Sequence, residues 1–442
     1  MDKILAVDVG TQSLRACVFD RDLTLIEKEQ IAYFPQVKSK KRVEIEAEIL
    51  WDAFIKATGA LKQAHDIKAI SFATLCPSLL PMDAEGNPLS PIILHLDRRS
   101  YKQAMWALER VGKERFLQIA GNLPIPGGVS CTSLLWIRDH EPDVYRRKDV
   151  VFGHAVTFFM RRLTGKFLID PSNASLTGLY NTHAYSDWDE GILRDLEIPR
   201  EKLPDVALST DIVGELDKEI ADRTGLPRGI PVVIGANDTT CATVGAGVTE
   251  SGKLMNTSGT VEIMVLCLDR PFAGENHLLR TSAYLNRWLA MKMVGAGGGS
   301  LEWFRRTLCP DMTREAFYDE YLAEVLSKKT TPEARFYPYL TGDRQRIPLK
   351  TASFTRLTLN TTREDMLLAL AYGIVSFQAE ILREWQRNNV PMERQIYHVG
   401  GGASEAYTQY KQRLLKDFEF VQLGETALQG AAILAFDALA GR

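Results

Sequence analysis

The chain predicts a mixed α/β fold built from a duplicated unit, with a boundary between its halves near residues 246–252. Two observations carry this. Short apolar, β-rich runs at residues 4–9, 67–73 and 230–235 alternate with stretches whose apolar residues recur at helical spacing. A strand, a polar turn of Gly, Thr and Ser, and a second strand occur at residues 4–19 and again at 253–268, once near the start of each half. The length of 442 residues is enough for two or three hydrophobic cores. Two similar lobes would leave a cleft between them, the usual seat of a ligand.

The elements follow in order. Residues 4–9 read as a strand broken by Gly10-Thr11-Gln12, with a second strand at 14–19, a turn at Asp20-Arg21-Asp22 and a third strand at 23–34. Ile49, Trp51, Phe54, Ile55 and Leu61 place an amphipathic helix over residues 47–65. In the second half, residues 253–256 are strand-like, Thr257-Ser258-Gly259-Thr260 is a tight turn, and 261–268 is a strand. Residues 364–387 read as a long helix and 396–399 as a short strand, followed by Gly400-Gly401-Gly402 and a helix through Lys416.

Composition excludes several classes. A formal net charge of −3 and a pI near 6.2 give no pull towards nucleic acid or an anionic membrane. The basic run at residues 38–42 faces an acidic run at 44–48 and reads as a solvated turn. Six scattered cysteines without a C-x-x-C pair, and seven histidines without H-x-x-x-H spacing, argue against a disulfide framework or a zinc site. Asp8 interrupts the first apolar stretch too early for a signal peptide, and no segment reads as long and apolar enough to span a bilayer. A cytoplasmic protein with reduced thiols, and with no nucleic-acid or membrane partner, is expected.

Five constellations carry chemistry. In Asp8-Val9-Gly10-Thr11-Gln12-Ser13-Leu14-Arg15 a hairpin presents backbone N–H groups and hydroxyls to an anion. Asp8 could hold Mg²⁺ through water and Arg15 could add a cation near phosphate; an ordinary hairpin with Asp8 bonded to its turn fits as well. Thr257-Ser258-Gly259-Thr260 repeats that chemistry in the second half. Asp238, after an apolar strand and before a small-residue helix, sits where α/β enzymes place a carboxylate that accepts a proton; a plain helix N-cap is the competing reading. The runs Gly295-Ala296-Gly297-Gly298-Gly299 and Gly400-Gly401-Gly402-Ala403-Ser404 each open a helix, either to approach an anion or to pack tightly at a turn. Neither is a P-loop or a clean G-x-G-x-x-G, which argues against P-loop NTPases and Rossmann dehydrogenases.

Taken in order, these motifs resemble the FGGY family of carbohydrate kinases nearly end to end. The resemblance includes Asp97-Arg98-Arg99, Asp170-Pro171-Ser172-Asn173, Trp188-Asp189, Asn237-Asp238, Gly297-Gly298-Gly299-Ser300, Phe336-Tyr337-Pro338 and Ala427-Leu428-Gln429-Gly430-Ala431-Ala432. It implies the duplicated actin-like (ribonuclease H-like) fold, with residues 1–247 as a domain binding sugar and carrying the base, 248–442 as a nucleotide domain, and the ligands in the cleft they flank. It implies ATP-dependent phosphorylation of a hydroxyl of a small sugar or polyol, with a ketopentose such as xylulose or a related ketose or polyol as acceptor. Asp238 would be the general base and Asp8 the carboxylate linked to Mg²⁺. Thr11, Gln12, Ser13 and Arg15, with Thr257, Ser258, Gly259 and Thr260, would contact the terminal phosphates. Gly297, Gly298, Gly401, Gly402, Ala403 and Ser404 would lie along the nucleotide. Leu75, Cys76, Pro77, Ser78, His95, Asp97 and Thr239 would line the sugar site with Asp238. A homodimer is the family's common state.

Departures gather on the sugar side. Thr74-Leu75-Cys76-Pro77-Ser78 stands where xylulokinases carry Gly-Gln-Met-His-Gly, His95 stands for a Trp, and Thr239 for a frequent Asn. Further along, Tyr372 replaces an acid in a Glu-Gly pair. A regulator or a chaperone-type ATPase of the same fold would need a DNA-binding helix pair or a peptide-binding domain, and the sequence offers neither; Asp8 and Asp238 weigh against an inactive sensing relative.

Overall fold

The computed structural model describes residues 2–39, 41–259, 261–295, 297–340, 342, 350–400 and 405–441. The chain forms two compact units, one of Met1–Thr249, Asp269–Leu289 and Thr426–Arg442, the other of Glu250–Leu268 and Ala290–Glu425.

The first unit is organised by a six-stranded sheet. Its strands are β1 (Lys3–Val9), β2 (Ser13–Phe19), β3 (Leu25–Ala32), β4 (Ile67–Thr74), β5 (Ile212–Glu215) and β6 (Pro231–Asn237), in the order β5-β6-β4-β1-β2-β3. β1, β4 and β6 are mutually parallel, and β1 to β3 form an antiparallel meander. The unbroken apolar runs arise because both faces of the sheet are covered. Leu5, Val7, Ile70, Phe72, Val232 and Ile234 point into one core with Leu50, Trp51 and Phe54 of the helix Ala47–Gly59. Ile4, Ala6, Ala69, Ala73, Val233 and Ala236 point into the other, against Cys241 and Val244 and against Leu428, Ala431 and Ala432.

The expected helix at 47–65 stops at Gly59, and Ala64–Asp66 forms a separate 3₁₀ turn. The basic run at residues 38–42 is exposed at its described positions, as a solvated turn should be. It joins two strands, Gln36–Ser39 and Arg42–Ile45, of a five-stranded sheet. Glu44 there is buried and takes Lys38 and Arg99 as ion-pair partners, each at 2.5 Å.

The second unit repeats the first. β7 (Leu254–Ser258) and β8 (Glu262–Leu268) form an antiparallel hairpin, as β1 and β2 do. β10 (Gln395–Val399) lies parallel to β7, as β4 does to β1, and β11 (Glu419–Gln422) parallel to β10, as β6 does to β4. With β9 (Trp288–Val294) the order is β9-β8-β7-β10-β11. The polar segment 257–260 was expected to be all turn, but β7 runs through Ser258.

The helix Arg363–Arg387 crosses this unit. Its 25 residues are long and apolar enough to cross a membrane, which the sequence reading had excluded for every segment. Its side chains from Leu367 to Trp385 are mostly buried, so within the unit it is a core helix.

Candidate active site

The parallel strands β1, β4 and β6 end together. Asp8 is level with Ala73 and Ala73 with Ala236, so Asp8 and the start of the helix Asp238–Gly245 share one edge of one sheet. They stand two strand spacings apart, roughly 10 Å.

Which residue caps that helix decides between the two readings of Asp238. Asn237 is the cap, its Oδ1 accepting from the backbone N–H groups of Thr239 (3.1 Å) and Thr240 (3.2 Å). Asp238 is the first helical residue and is half-buried. Its Oδ1 accepts from Asn237 Nδ2 (2.8 Å), Thr239 N (2.5 Å) and Thr239 Oγ1 (3.1 Å). Its Oδ2 carries no hydrogen bond among the described residues. One carboxylate oxygen is therefore fixed and the other is available, as proton acceptance requires.

The sequence reading quoted Asp170-Pro171-Ser172-Asn173 without assigning it a task. Asp170 is fully buried; it accepts from Ser172 N and Oγ and Asn173 N on Oδ1, and from Asn173 Nδ2 on Oδ2. Ser172 Oγ in turn accepts the backbone N–H of Asn237 at 2.9 Å. This buried chain fixes the residue before Asp238. Burial pushes the Asp170 carboxyl up, against the hydrogen bonds from Ser172 and Asn173 that favour its charged form.

In the β1–β2 hairpin, Arg15 lies opposite Asp8 and donates to its Oδ2 from Nε (3.0 Å) and Nη2 (2.5 Å). The guanidinium expected near phosphate is thus engaged by the carboxylate expected near the metal. Tyr33 closes the turn by donating to the carbonyl of Gly10 (2.7 Å), and burial, with the Asp8 charge, pushes its phenol well above the ordinary value. Thr11 is half-buried and Gln12 exposed at the tip; Ser13 Oγ accepts from Gln30 at 3.1 Å. Among the described residues no three His, Cys, Asp or Glu side chains cluster as a metal cage. A single hard carboxylate at a phosphate-type hairpin, even one paired with Arg15, fits Mg²⁺ held through water, since Mg²⁺ keeps most of its waters and takes further oxygens from a nucleotide.

The sugar-side expectations divide. Cys76 is partly exposed, its Sγ 3.7 Å from His154 Nδ1, and burial raises its thiol far above the ordinary range. His95 is half-buried. Leu75 and Pro77 are buried, and Ser78 donates to the Leu75 carbonyl (3.1 Å) and accepts from Ala155 N (3.0 Å) at the start of the helix Ala155–Thr164. Asp97 is buried with both oxygens occupied, by Val43 N and by Arg99. Ser78 and Asp97 are thus both engaged in hydrogen bonds within the fold.

In the second unit two glycine segments converge on the β7–β8 hairpin. Gly298 N donates to the Gly259 carbonyl at 2.9 Å. A Cβ at 297 would stand 2.3 Å from Glu262 Cγ, and one at 400 would stand 2.5 Å from the Ser258 carbonyl, where φ is +102°. Beneath the hairpin Lys411, wholly buried, donates to Asn256 Oδ1 (2.9 Å) and Ser258 Oγ (2.8 Å) and pairs with buried Glu262 (2.8 Å). Thr257 is half-buried beside it. Thr260, Gly401, Gly402, Ala403 and Ser404 lie outside the described residues.

Sequence reasoning missed Arg280, on the strand Leu278–Thr281 of the first unit. It is 2% exposed and donates from Nη1 to Asn237 Oδ1. Nothing in the sequence around it signals this, because strand and helix meet 43 residues apart.

Comparison with known proteins matches this geometry. Residues 3–245 fit the model of the N-terminal domain of the FGGY family of carbohydrate kinases. The chain is 31% identical to a glycerol kinase of Bordetella parapertussis, over 91% of this chain and 81% of that one. It is 27% identical to a gluconokinase of Bacillus subtilis, over 84% and 74% respectively. The solved structure of xylulose kinase from Rhodospirillum rubrum superposes with a TM-score of 0.90 at 21% identity, covering 100% of this chain and 90% of that one. That likeness gives the actin-like fold. Sequence match and duplicated hairpins agree: the chain belongs to the FGGY family of carbohydrate kinases, and is an enzyme that phosphorylates a small sugar or polyol with ATP as co-substrate.

Proposed function

We propose that Asp238 is the general base of this kinase. The observation that carries the reading is the division of labour at the helix start: Asn237 caps, and Asp238 keeps Oδ2 without a hydrogen bond among the described residues. The acceptor hydroxyl gives its proton to Oδ2 while its oxygen bonds to the γ-phosphorus of ATP. The bond from that phosphorus to the bridging oxygen breaks, and ADP leaves. Mg²⁺, when bound with the nucleotide, neutralises phosphate charge, and Asp8 would hold it through water.

Thr11, Gln12, Ser13 and Arg15 we assign to the phosphates, together with Thr257, Ser258, Gly259 and Thr260. Gly297, Gly298 and residues 401–404 we assign to the nucleotide. The first unit then forms the acceptor and base domain and the second the nucleotide domain; a single division at residues 247/248 leaves out the segments 269–289 and 426–442, which return to the first unit. Cys76, His95 and Thr239 we place at the acceptor, with Leu75, Pro77, Ser78 and Asp97 as its scaffold. The acceptor is a small polyhydroxylated molecule; the relatives are named for glycerol, gluconate and xylulose. Six free cysteines suit a reducing compartment, the cytoplasm.

Asp238→Asn tests the base. Coupled ADP release should fall on the order of 10²–10⁴-fold with ATP binding by calorimetry unchanged. Turnover that survives the substitution removes Asp238 from this role.

A further inference from the structure

Arg280 is a buried cation with too few partners. Among the described residues it makes no ion pair; Nη1 reaches Asn237 Oδ1, and Nε is buried with no hydrogen bond. Asp170 does not complete it among the described residues; its oxygens accept from Ser172 and Asn173. Burial lowers the Arg280 pKa, and the nearby carboxylates of Asp238 and Asp170 act in the opposite direction. The strand that carries the guanidinium is pinned. Asn122 bonds the Leu279 N–H (2.9 Å) and carbonyl (2.6 Å), Ser175 Oγ accepts from Thr281 N (3.2 Å), and Tyr185 donates to the Ser282 carbonyl (2.6 Å). A fixed, buried, unpaired guanidinium is costly unless an anion arrives to complete it.

The anion's source follows from position. Arg280 holds the cap residue immediately before Asp238, so what meets Arg280 also meets the proposed base. We propose that the acceptor carries a carboxylate bound by Arg280 while one of its hydroxyls faces Asp238, so that the substrate class is a polyhydroxy carboxylic acid, an aldonate. This rests on the reading of Asp238 as base and narrows the acceptor class. A planar guanidinium matches a carboxylate in shape. One positive charge balances one negative charge; a phosphate dianion would leave excess negative charge near Asp238 and Asp170. The segment 74–78 offers a neutral thiol at Cys76 and a Ser78 already bonded within the fold, so the charged contact comes from another strand.

The test compares pentonates and hexonates with alditols and ketoses of equal chain length, and with a sugar phosphate, in coupled ADP release by the purified enzyme. Thermal shift without ATP reads binding alone. At least one aldonate should exceed its alditol in kcat/KM by roughly 100-fold and raise Tm. Arg280→Gln should cut that aldonate's kcat/KM by a similar factor, mainly through KM, and abolish its thermal shift. ATP KM should not change, and Arg280→Lys should keep more activity than Arg280→Gln. If a neutral ketose or alditol or a sugar phosphate is preferred, or if no aldonate shifts Tm, the proposal is overturned whatever the variants do. The thermal shift does not depend on the base, so loss of the Asp238 reading through Asp238→Asn would be told apart from loss of this one.

Discussion

At the scale of single residues, the first unit ties buried polar groups together beneath the start of the helix Asp238–Gly245. Asp170, Ser172 and Asn237 form a relay of hydrogen bonds that ends one residue before Asp238. His154 sits against the same layer, wholly buried, with Nε2 2.8 Å from Ser130 Oγ. Burial depresses its pKa from 6.5 to about 4, against the hydrogen bond with Asn173. The folded protein therefore refuses a proton that the unfolded chain accepts. Stability from this group is complete above about pH 6.5 and is lost as pH falls towards 4. The difference of about 2.5 units corresponds to roughly 3 kcal/mol. Tm measured from pH 7 to 4.5 should fall, and a His154→Gln variant should lose part of that slope. Parallel profiles for the two proteins would assign the acid sensitivity to other groups.

At the scale of elements, the helix Asp238–Gly245 is set by backbone contact with the helix Thr426–Leu439. A Cβ at 430 would stand 1.8 Å from the Cys241 carbonyl oxygen, and one at 245 would stand 2.0 Å from that of Thr426. Backbone cannot yield as a side-chain tip can, so the helices must part if either glycine gains a side chain. Gly430→Ala should cost roughly 3 kcal/mol by chemical denaturation. It should also lower kcat, because the displaced helix carries Asp238 at its start; unchanged stability and kcat would refute the close approach. The second unit secures its hairpin differently, by the buried Lys411–Glu262 pair and by Gln378, which donates to Glu262 Oε2.

At the scale of the whole molecule, the chain passes between its two compact units four times, after Thr249, Leu268, Leu289 and Glu425. The first unit thus needs segments from the far end of the sequence. Leu428, Ala431, Ala432, Leu434 and Ala435 fill one of its two cores, and the strand Leu278–Thr281 brings Arg280. A fragment of residues 1–249 should be protease-sensitive and prone to aggregation, with the β1-β4-β6 face uncovered. Limited proteolysis against the full-length protein checks this, and a fragment as resistant as the whole would show that the late segments are dispensable.

Much was legible beforehand because it depends on short-range pattern. The strands at residues 4–9, 67–73 and 230–235, the paired hairpins and the long helix at 364–387 were found within a few residues, since apolar runs and periodicity report burial directly. Pattern could not show that Ser78 and Asp97 are bonded inside the fold. The sequence by itself determined the duplicated α/β plan and the two carboxylates, Asp8 and Asp238, because strand ends and turn residues are local properties. Only tertiary structure decided that Asn237 and not Asp238 caps the helix, and that Arg280 comes to lie behind it. Arg280 reaches Asn237 from 43 residues away and Ser172 holds the Asn237 N–H from 65 residues away, contacts that no local period encodes.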